Sequence, residues 1–531
     1  MFLISHPGGC KPLGALAGPA RSLHSGPLRG IDRSPGQVGD SATEGMKPMM
    51  PRSPVSLALV ALWGLLAGGC GTTSSSPAVP PQDGAVPPLA AAGRWLVDAE
   101  GRVVLLHGMN EVAKQAPFSP DAFGFGEDDV AFLGREGFTA LRLGVDMRGM
   151  MPEPGRIDPG YMERLATTVE SCRRHGLFVL LDFHQDGFAP KYRGNGFPDW
   201  MGLDDGLPNP PADFPLYYVL NPAMQRAFEH FWADDPIPGG DGRGGASYVL
   251  QAMEAVLGRF GADTMVLGAE IINEPWPGAD WQDCAYDRAN GCPRVEQSKL
   301  MPFYRRGLEI SRRTAPDRLL FVEPFVLFNF GQAPTTIPGP DPGFGLSFHS
   351  YALEVAGEEA VVRFGREAAE RDGAPALVTE FGATADLVLV ERLLDQFDGQ
   401  LLPWMWWAYG ERIVADRDEP LTEESITNPD LLRSLLRPHA QVTAGVPTRI
   451  SFDHGSRVFE YEYSTVRAGG GGFREGADTV VLASPRVYPN GYSVEVEGAT
   501  VVSEPCASRL RLRTDGAVGA VRLRIVPGGA C

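Results

Sequence analysis

The chain has 531 residues, of which 43% are hydrophobic and 21% are charged, and its formal net charge is −19. This composition is that of an ordinary globular protein, and the length allows one barrel of about 300 residues together with a smaller domain. The negative charge argues against nucleic acid as a partner and against electrostatic attraction to an anionic membrane.

The amino-terminal end has the composition of a leader. Residues 1–45 are rich in Gly, Pro, Arg and Ser without periodicity, and they predict a low-complexity extension. A second start-like cluster follows at Met46, and if translation begins there, the extension is not translated. Residues 46–70 combine a basic segment with an apolar run of about a dozen residues, which is too short to span a bilayer. This combination predicts a signal peptide.

The predicted signal peptide ends in Leu-Ala-Gly-Gly-Cys at Cys70, which resembles a bacterial lipobox with Ala67 where leucine is usual. A lipobox predicts lipidation of Cys70, and the alternative is ordinary secretion with an incidental cysteine. Residues 71–92 are rich in Thr, Ser, Pro and Ala, which predicts a flexible tether. We therefore expect an exported protein, either a cell-envelope lipoprotein or a secreted protein.

Export makes disulfide bonds permissible. Cys284 and Cys292 flank a short polar loop and are predicted to close it, and Cys506 and Cys531 would tie the last strand to the C-terminal domain. Cys172 falls on a helical pattern and is predicted to be a buried thiol. The cysteines and histidines show no metal-ligand spacing, so we expect no metal and no cofactor.

Apolar strand-like runs alternate with helical segments eight times, which favours a parallel α/β barrel over a sandwich. The strands are predicted near Val103–Gly108, Thr139–Val145, Phe178–Phe183, Met265–Ile272, Leu319–Pro324, Leu346–His349, Ala376–Glu380 and Leu402–Trp407. The helical patterns include Asp128–Glu136, Tyr161–His175, Ala246–Phe260 and Met301–Ala315. The sequence thus predicts a (β/α)8 TIM barrel over residues 93–438.

Two further regions differ from this alternation. Residues 187–241 form a long insertion without strong periodicity after the third predicted strand, and a loop of this length is typical of substrate binding. Residues 439–531 lose the helical period and show short alternating runs between Gly-rich turns. They predict a small β-sandwich that packs against the barrel.

Three predicted strand ends carry side chains suited to chemistry on a sugar. The apolar run that starts at residue 267 stops at Asn273-Glu274-Pro275, and because proline lacks an N–H, Glu274 lies at the strand tip. Poor solvation there raises the pKa of a carboxyl group, which suits a general acid; a carboxylate that caps the next helix is the alternative. Glu380 ends a second such strand, and residues 403–409 form an aromatic strand end that suits the floor of a sugar site.

Asn-Glu-Pro followed about a hundred residues later by Glu-Phe-Gly resembles glycoside hydrolase family 5, whose members are (β/α)8 barrels. Within that family the chain is most similar to the endoglycoceramidases, which release an intact glycan from a glycosphingolipid. The resemblance covers residues 93–531. The further matching segments are residues 110–114, 137–145, 182–186 and 349–351.

The resemblance implies roles for ten residues. Glu274 would be the acid/base and Glu380 the nucleophile of a retaining β-glycosidase, which needs two carboxyl groups about 5 Å apart. The substrate-binding residues would be Lys114, His184, Asp186, Asn273, Tyr351 and Trp407, and the supporting residues Arg142 and His349. A barrel salt bridge for Arg142 and core packing for Tyr351 are the alternatives.

The leading hypothesis is hydrolysis of the bond between a glycan and the ceramide of a glycosphingolipid. The partner would be the glycolipid substrate, and the membrane would be reached through that substrate or a lipid anchor. One alternative is a family 5 polysaccharide hydrolase such as an endo-β-glucanase, and another is a non-catalytic sugar-binding lipoprotein. A lipid enzyme needs an apolar groove, and the residues predicted to supply it are Phe188, Phe197, Trp200, Phe214, Phe325, Phe328 and Phe330.

Overall fold

The computed structural model describes residues 84–529 except 287–288, 353, 415–419, 475 and 516–517. The predicted extension, signal peptide and Cys70 lie outside the described residues. The chain divides into two units, Met1–Ala78 and Val79–Cys531, and all that follows concerns the second. None of the described helices is both long and apolar enough to cross a membrane.

A closed barrel of eight parallel strands forms the larger part of this unit. Three short strands precede it: β1 (Ala90–Ala92), β2 (Trp95–Val97) and β3 (Val103–Val104). The barrel strands are β4 (His107–Glu111), β5 (Ala140–Val145), β6 (Phe178–Phe183), β7 (Val266–Glu270), β8 (Leu319–Val322), β9 (Phe344–Ser350), β10 (Ala376–Phe381) and β11 (Trp404–Trp406). Each strand pairs with the next, and β11 pairs with β4 to close the ring. The predicted (β/α)8 barrel is confirmed.

Helices connect the barrel strands. They are α1 (Glu127–Glu136), α2 (Met147–Met150), α3 (Pro159–Arg174), α4 (Tyr217–Leu220), α5 (Pro222–Ala233), α6 (Gly245–Phe260), α7 (Trp281–Tyr286), α8 (Pro293–Val295), α9 (Met301–Thr314), α10 (Val355–Asp372), α11 (Leu387–Gln400) and α12 (Pro429–Leu435). Helix α3 shows how the sequence sets a start: Asp158 accepts the Tyr161 N–H, and Pro159 occupies the first turn. The four predicted helical patterns correspond to α1, α3, α6 and α9, and their ends agree to within two residues.

Short 3-10 and π segments complete the helical structure. The 3-10 segments are Pro120–Phe123, Pro190–Tyr192, Asp199–Met201, Gly278–Asp280, Val326–Phe330 and Glu423–Ser425, and the π segments are Glu296–Leu300 and Tyr409–Ile413.

Two antiparallel sheets form the C-terminal domain. Its strands are β12 (His439–Thr443), β13 (Val446–Phe452), β14 (Phe459–Ser464), β15 (Asp478–Leu482), β16 (Tyr492–Glu497), β17 (Ala499–Val501), β18 (Arg509–Thr514) and β19 (Ala520–Pro527). One sheet has the order β1-β2-β3-β12-β15-β18-β17 and the other β13-β14-β19-β16. Buried side chains such as Phe459, Tyr461 and Ile525 form the core of this domain. The predicted β-sandwich is confirmed.

The amino-terminal edge of the barrel differs from the prediction. Val103 and Val104 were expected in the first barrel strand, but they form β3 and pair with β12 of the sandwich. The barrel strand begins at His107, so residues 90–104 belong to the sandwich sheet and not to the barrel. The predicted tether over residues 71–92 is therefore wrong for Ala90–Ala92, which form β1. A continuous apolar run carries no mark of the point where a strand changes partners, which explains the error.

The cysteine predictions are tested in part. A disulfide joins Cys284 and Cys292, as predicted. Cys172 is a buried free thiol, also as predicted. The predicted partner of Cys506 is Cys531, which lies outside the described residues.

Candidate active site

The carboxyl ends of the barrel strands bring all ten predicted residues together, on the face where active sites of such barrels occur. Arg142, His349 and Glu380 lie in strands, whereas the other residues follow a strand end: Lys114, His184, Asp186, Asn273, Glu274, Tyr351 and Trp407. Seven of them are buried, and Lys114, Asp186 and Tyr351 are half-buried.

Glu274 and Glu380 face each other across His349. The Nδ1 atom of His349 lies 2.8 Å from Oε1 of Glu274 and 3.5 Å from Oε2 of Glu380. These two oxygens are therefore no further apart than the sum of the two distances. Two carboxyl groups that approach the same ring nitrogen are compatible with the separation of about 5 Å that retaining glycosidases use. The geometry suits a retaining pair.

Arg142 and Tyr351 hold the carboxyl group of Glu380. Nη1 of Arg142 donates to Oε1 at 2.5 Å, and the Tyr351 hydroxyl donates to Oε2 at 3.1 Å. Burial raises the pKa of Glu380, whereas His349 and Arg142 oppose that rise. Both oxygens are thus oriented by donors, which suits a carboxylate that attacks from one fixed direction.

Arg142 is the centre of a wider buried network. Its guanidinium donates to both oxygens of Glu270, at 3.0 and 2.9 Å, and to the amide oxygen of Asn273 at 2.7 Å. Burial lowers the pKa of Arg142, but Asp182, Glu270 and Glu380 outweigh that effect and raise it well above the ordinary range. The arginine therefore stays charged and balances several buried acids.

Asn273 and Glu274 are held through backbone as well as side chain. Gln185 donates to the carbonyl oxygens of Asn273 and Glu274 at 2.8 and 3.0 Å, and the Asn273 amide donates to the Gln185 carbonyl at 3.0 Å. Glu274 has a φ of 42°, in the left-handed region that non-glycine residues rarely occupy. These bonds stabilise the unusual backbone at the predicted acid.

A second group of residues lines the other side of the site. Nζ of Lys114 lies 2.8 Å from Oδ2 of Asp186 and 4.4 Å from the centre of the Trp407 ring. His184 Nδ1 lies 2.8 Å from Asp182. Burial lowers the pKa of His184, but Asp182 and Asp186 outweigh it and raise that pKa to about 9. Charged donors and an aromatic face thus lie side by side, which suits recognition of a pyranose ring.

Trp404 and Trp406 do not contribute to this surface. Both side chains have no exposed area, so they belong to the scaffold, whereas Trp407 keeps a small exposed fraction of 7%. Of the aromatic strand end over residues 403–409, Trp407 is thus the tryptophan that can meet a sugar.

Sequence reasoning missed Glu323 and Asn329. Glu323 follows β8 and accepts the backbone N–H of Glu274 at 3.1 Å, and Asn329 donates to Glu274 Oε1 at 3.1 Å. A sequence signal existed for Glu323, because it precedes Pro324, just as Glu274 precedes Pro275. Asn329 stands alone in an aromatic run, which gives no comparable signal.

Glu270, Glu323 and His349 place ligand-type atoms within 4.8 Å of one another. Arg142 already donates to both oxygens of Glu270, so a side-chain cation neutralises this cluster. The network is explained by ion pairs among the protein's own residues.

Most of the residues predicted to line an apolar groove do not line one. Phe188 and Phe197 are fully buried, and Phe325 and Phe328 are 2% and 5% exposed, so all four belong to the core. Phe188 makes edge contacts with the neighbouring rings of the insertion, which therefore packs as scaffold. Trp200 and Phe330 are half-buried, and Phe214 is exposed.

The cellulase (glycosyl hydrolase family 5) model matches residues 97–412, which is more than half of the chain. The chain belongs to glycoside hydrolase family 5. The glycoside hydrolase family 5 C-terminal domain model matches residues 437–525, in the sandwich. This family 5 protein is therefore an enzyme that hydrolyses glycosidic bonds, and retention is general in the family.

This family 5 enzyme is similar in sequence to proteins called endoglycoceramidases. It is 31% identical to endoglycoceramidase I of Rhodococcus hoagii (strain 103S) over 473 residues. The matched region is 83% of this chain and 89% of the relative. It is 25% identical to the endoglycoceramidase of Hydra vulgaris, over 76% of this chain and 81% of that one.

A solved structure shows the same fold. It is endo-glycoceramidase II from Rhodococcus sp. as a lactosyl-enzyme intermediate, with a TM-score of 0.66, 23% identity and coverage of 82% of this chain and 100% of that chain. The predicted resemblance to family 5 and to endoglycoceramidases is confirmed by these matches.

Proposed function

We propose that this enzyme hydrolyses the bond between the glycan and the ceramide of glycosphingolipids, with retention at the anomeric carbon. The observation that carries the proposal is the 31% identity to a protein named endoglycoceramidase I, which extends over both the barrel and the sandwich. The arrangement of Glu274 and Glu380 around His349 supports the chemistry.

The two carboxyl groups divide the reaction into two steps. In the first, Glu380 attacks the anomeric carbon while Glu274 gives its proton to the departing ceramide oxygen, so that a glycosyl ester forms and ceramide leaves. In the second, the Glu274 carboxylate takes a proton from water, the water oxygen attacks the anomeric carbon, and the ester bond to Glu380 breaks. Arg142 and Tyr351 stabilise the Glu380 carboxylate at the start and end of the cycle.

The glycan would bind on the side of Lys114, Asp186 and Trp407. Trp407 offers a flat apolar face to the sugar ring. Lys114 and Asp186, which form an ion pair beside it, would form hydrogen bonds with the sugar hydroxyl groups. Asn273 would bind the sugar 2-hydroxyl, a contact that strengthens in the transition state. Arg142 and Gln185 fix the Asn273 amide for that purpose.

The lipid would meet a different set of side chains from those predicted. Four exposed apolar residues lie within the insertion after β6, namely Leu207, Phe214, Leu216 and Leu220. Between the last two, Tyr217 and Tyr218 point inward, and the Tyr218 ring packs 4.9 Å from that of Trp276, two residues after Glu274. The segment that carries the exposed leucines thus packs next to Glu274, the residue that would protonate the departing ceramide oxygen.

A polysaccharide hydrolase is the second candidate, because the matching family model bears the description cellulase. Incubation with gangliosides and with cellulose separates the two functions by the product released. We expect intact oligosaccharide and ceramide from gangliosides. Release of sugars from cellulose alone would favour the second candidate, and no product from either substrate would rule out both candidates.

The enzyme is also proposed to be exported. The basic segment and apolar run of residues 46–70 support a signal peptide, and the Leu-Ala-Gly-Gly-Cys ending supports a lipoprotein anchored at Cys70. A tether that ends before β1 would let the barrel reach glycolipids at a membrane surface, because Ala90–Ala92 belong to the sandwich sheet.

A further inference from the structure

Glu323 is a buried carboxyl group that the two-carboxylate mechanism does not use. It follows β8 and has no exposed surface. One of its oxygens accepts the backbone N–H of Glu274 at 3.1 Å, and the other lies 3.3 Å from Nε2 of His349. Its own backbone carbonyl accepts a hydrogen bond from the Tyr304 hydroxyl at 2.6 Å, so the strand end is held in place.

His349 connects Glu323 to both reacting carboxyl groups. Its Nε2 faces Glu323, and its Nδ1 lies 2.8 Å from Glu274 and 3.5 Å from Glu380. The backbone N–H of His349 donates to Asn329 at 3.1 Å, which fixes the base of the side chain. Because the state of one ring nitrogen depends on the partner of the other, the group at Nε2 decides whether Nδ1 can donate.

We propose that Glu323 is a positioning residue for hydrolysis, which holds Glu274 by its backbone and keeps the His349 ring protonated between the two reacting carboxyl groups. The inference rests on the proposed roles of Glu274 and Glu380. In the first half of the cycle Glu380 is the carboxylate, and in the second half Glu380 is esterified and Glu274 carries the charge. A protonated Nδ1 within reach of both oxygens can donate to whichever is charged.

The surroundings of His349 support this arrangement. The titratable and charged groups that face it are Glu270, Glu274, Glu323, Glu380 and Tyr351. Arg142 forms ion pairs with three of these acids, Glu270, Glu323 and Glu380. Burial lowers the pKa of His349, but the nearby carboxylates outweigh burial and raise it well above the ordinary range. Burial also raises the pKa of Glu323. Because both pKa values are raised, a proton is held between Glu323 and Nε2 of His349. Nδ1 can then keep its own proton and donate it to a carboxylate.

The pH dependence of kcat/KM tests the proposal, with 4-nitrophenyl β-lactoside as a substrate that carries no lipid. Glu323→Gln keeps the size of the side chain and an oxygen acceptor for the Glu274 N–H, but a neutral amide cannot balance the charge of a protonated His349 ring. The His349 ring should then lose its proton at lower pH. We expect the basic limb of the profile to move to lower pH by about one unit or more, with activity recovered on the acidic side.

Glu296→Gln is the matched control. Glu296 is a buried glutamate bound by Thr335 and Thr336 and not by a reacting group, so its loss should lower the Tm without moving the limb. An unmoved basic limb in folded Glu323→Gln, or an equal shift in Glu296→Gln, would overturn the proposal.

Glu323→Asp provides the second test. It keeps the carboxyl group but is one methylene shorter, so it cannot reach Glu274 and Nε2 equally well. We expect a smaller shift of the basic limb than in Glu323→Gln. If Glu323→Gln does not fold, this variant decides the question, and an unmoved limb overturns the proposal. If Glu274→Gln and Glu380→Gln both keep full activity, the proposed catalytic roles fail, which is a separate result.

Discussion

The imidazole ring of His184 lies almost parallel to the indole of Trp407, with ring centres 5.4 Å apart and 17° between the planes. The stacked pair joins the aromatic surface assigned to the sugar to the buried Asp182 and the half-buried Asp186. The charge of the His184 ring therefore depends on Asp182 and Asp186, and it should make the stability of the protein depend on pH.

His184 should make stability depend on pH in a defined window. Its pKa is raised from 6.5 to about 9, so the charged ring stabilises the folded state fully below about pH 6.5 and loses that contribution as the pH rises through 9. Thermal unfolding of the wild type and of His184→Gln should thus differ in Tm by an amount that shrinks across this window. A Tm difference that stays constant with pH would contradict the assignment.

Glu380→Gln should abolish turnover while leaving folding intact. The substitution keeps the shape of the nucleophile and removes its charge, and we expect kcat to fall by about 10⁴-fold or more. Azide should restore part of the activity of Glu380→Gly, where a void admits the anion, but should not readily restore that of Glu380→Gln. Wild-type turnover by a folded Glu380→Gln would remove this residue from the mechanism.

Glu274→Gln should discriminate between leaving groups. Loss of a general acid costs about 10²–10⁴-fold where the leaving oxygen needs a proton, as the ceramide oxygen does. An activated aryl glycoside leaves without that help, so its first step should be much less affected. The measurement is the ratio of kcat/KM for a ganglioside to that for the aryl glycoside, and an unchanged ratio would argue against the acid role.

Leu216 and Leu220 should matter for lipid substrates alone. They are 44% and 54% exposed, and a lipid that covers each of them gains up to about 1 kcal/mol. The double variant Leu216→Ser, Leu220→Ser should therefore lower kcat/KM for gangliosides by about tenfold and spare aryl glycosides.

Val388→Ser is the control for this prediction, because Val388 is an apolar residue of α11 with 72% exposure and lies outside the insertion. It should change neither activity. If the ganglioside activity of the double leucine variant equals that of Val388→Ser, the insertion does not receive the lipid.

Cys70→Ala should release the enzyme from the membrane fraction without changing its specific activity. The substitution removes the proposed lipid attachment, and the barrel begins beyond the predicted tether. Fractionation of cells that express each form, followed by an assay on an aryl glycoside, makes the measurement. Retention of Cys70→Ala in the membrane fraction would dispose of the lipobox interpretation.

Much of the barrel was determined by the sequence itself. Strands buried on both faces appear as continuous apolar runs, and a proline after a glutamate marks the end of such a run. For that reason Glu274 could be placed beyond the carboxyl end of a strand. Glu380 could be placed at the end of its own apolar strand, because a glycine turn follows at Gly382. Because the carboxyl ends of parallel barrel strands meet on one face, the site residues could also be grouped before the structure was known.

Only the tertiary structure decided which groups touch. Glu274 and His349 are 75 residues apart in the chain and 2.8 Å apart in space, and no local pattern records such a contact. Apolar periodicity likewise could not tell that Phe188 is core or that Val103 pairs with the sandwich. Local signals identify the elements and their ends, whereas burial and long-range hydrogen bonds depend on how the closed barrel arranges them.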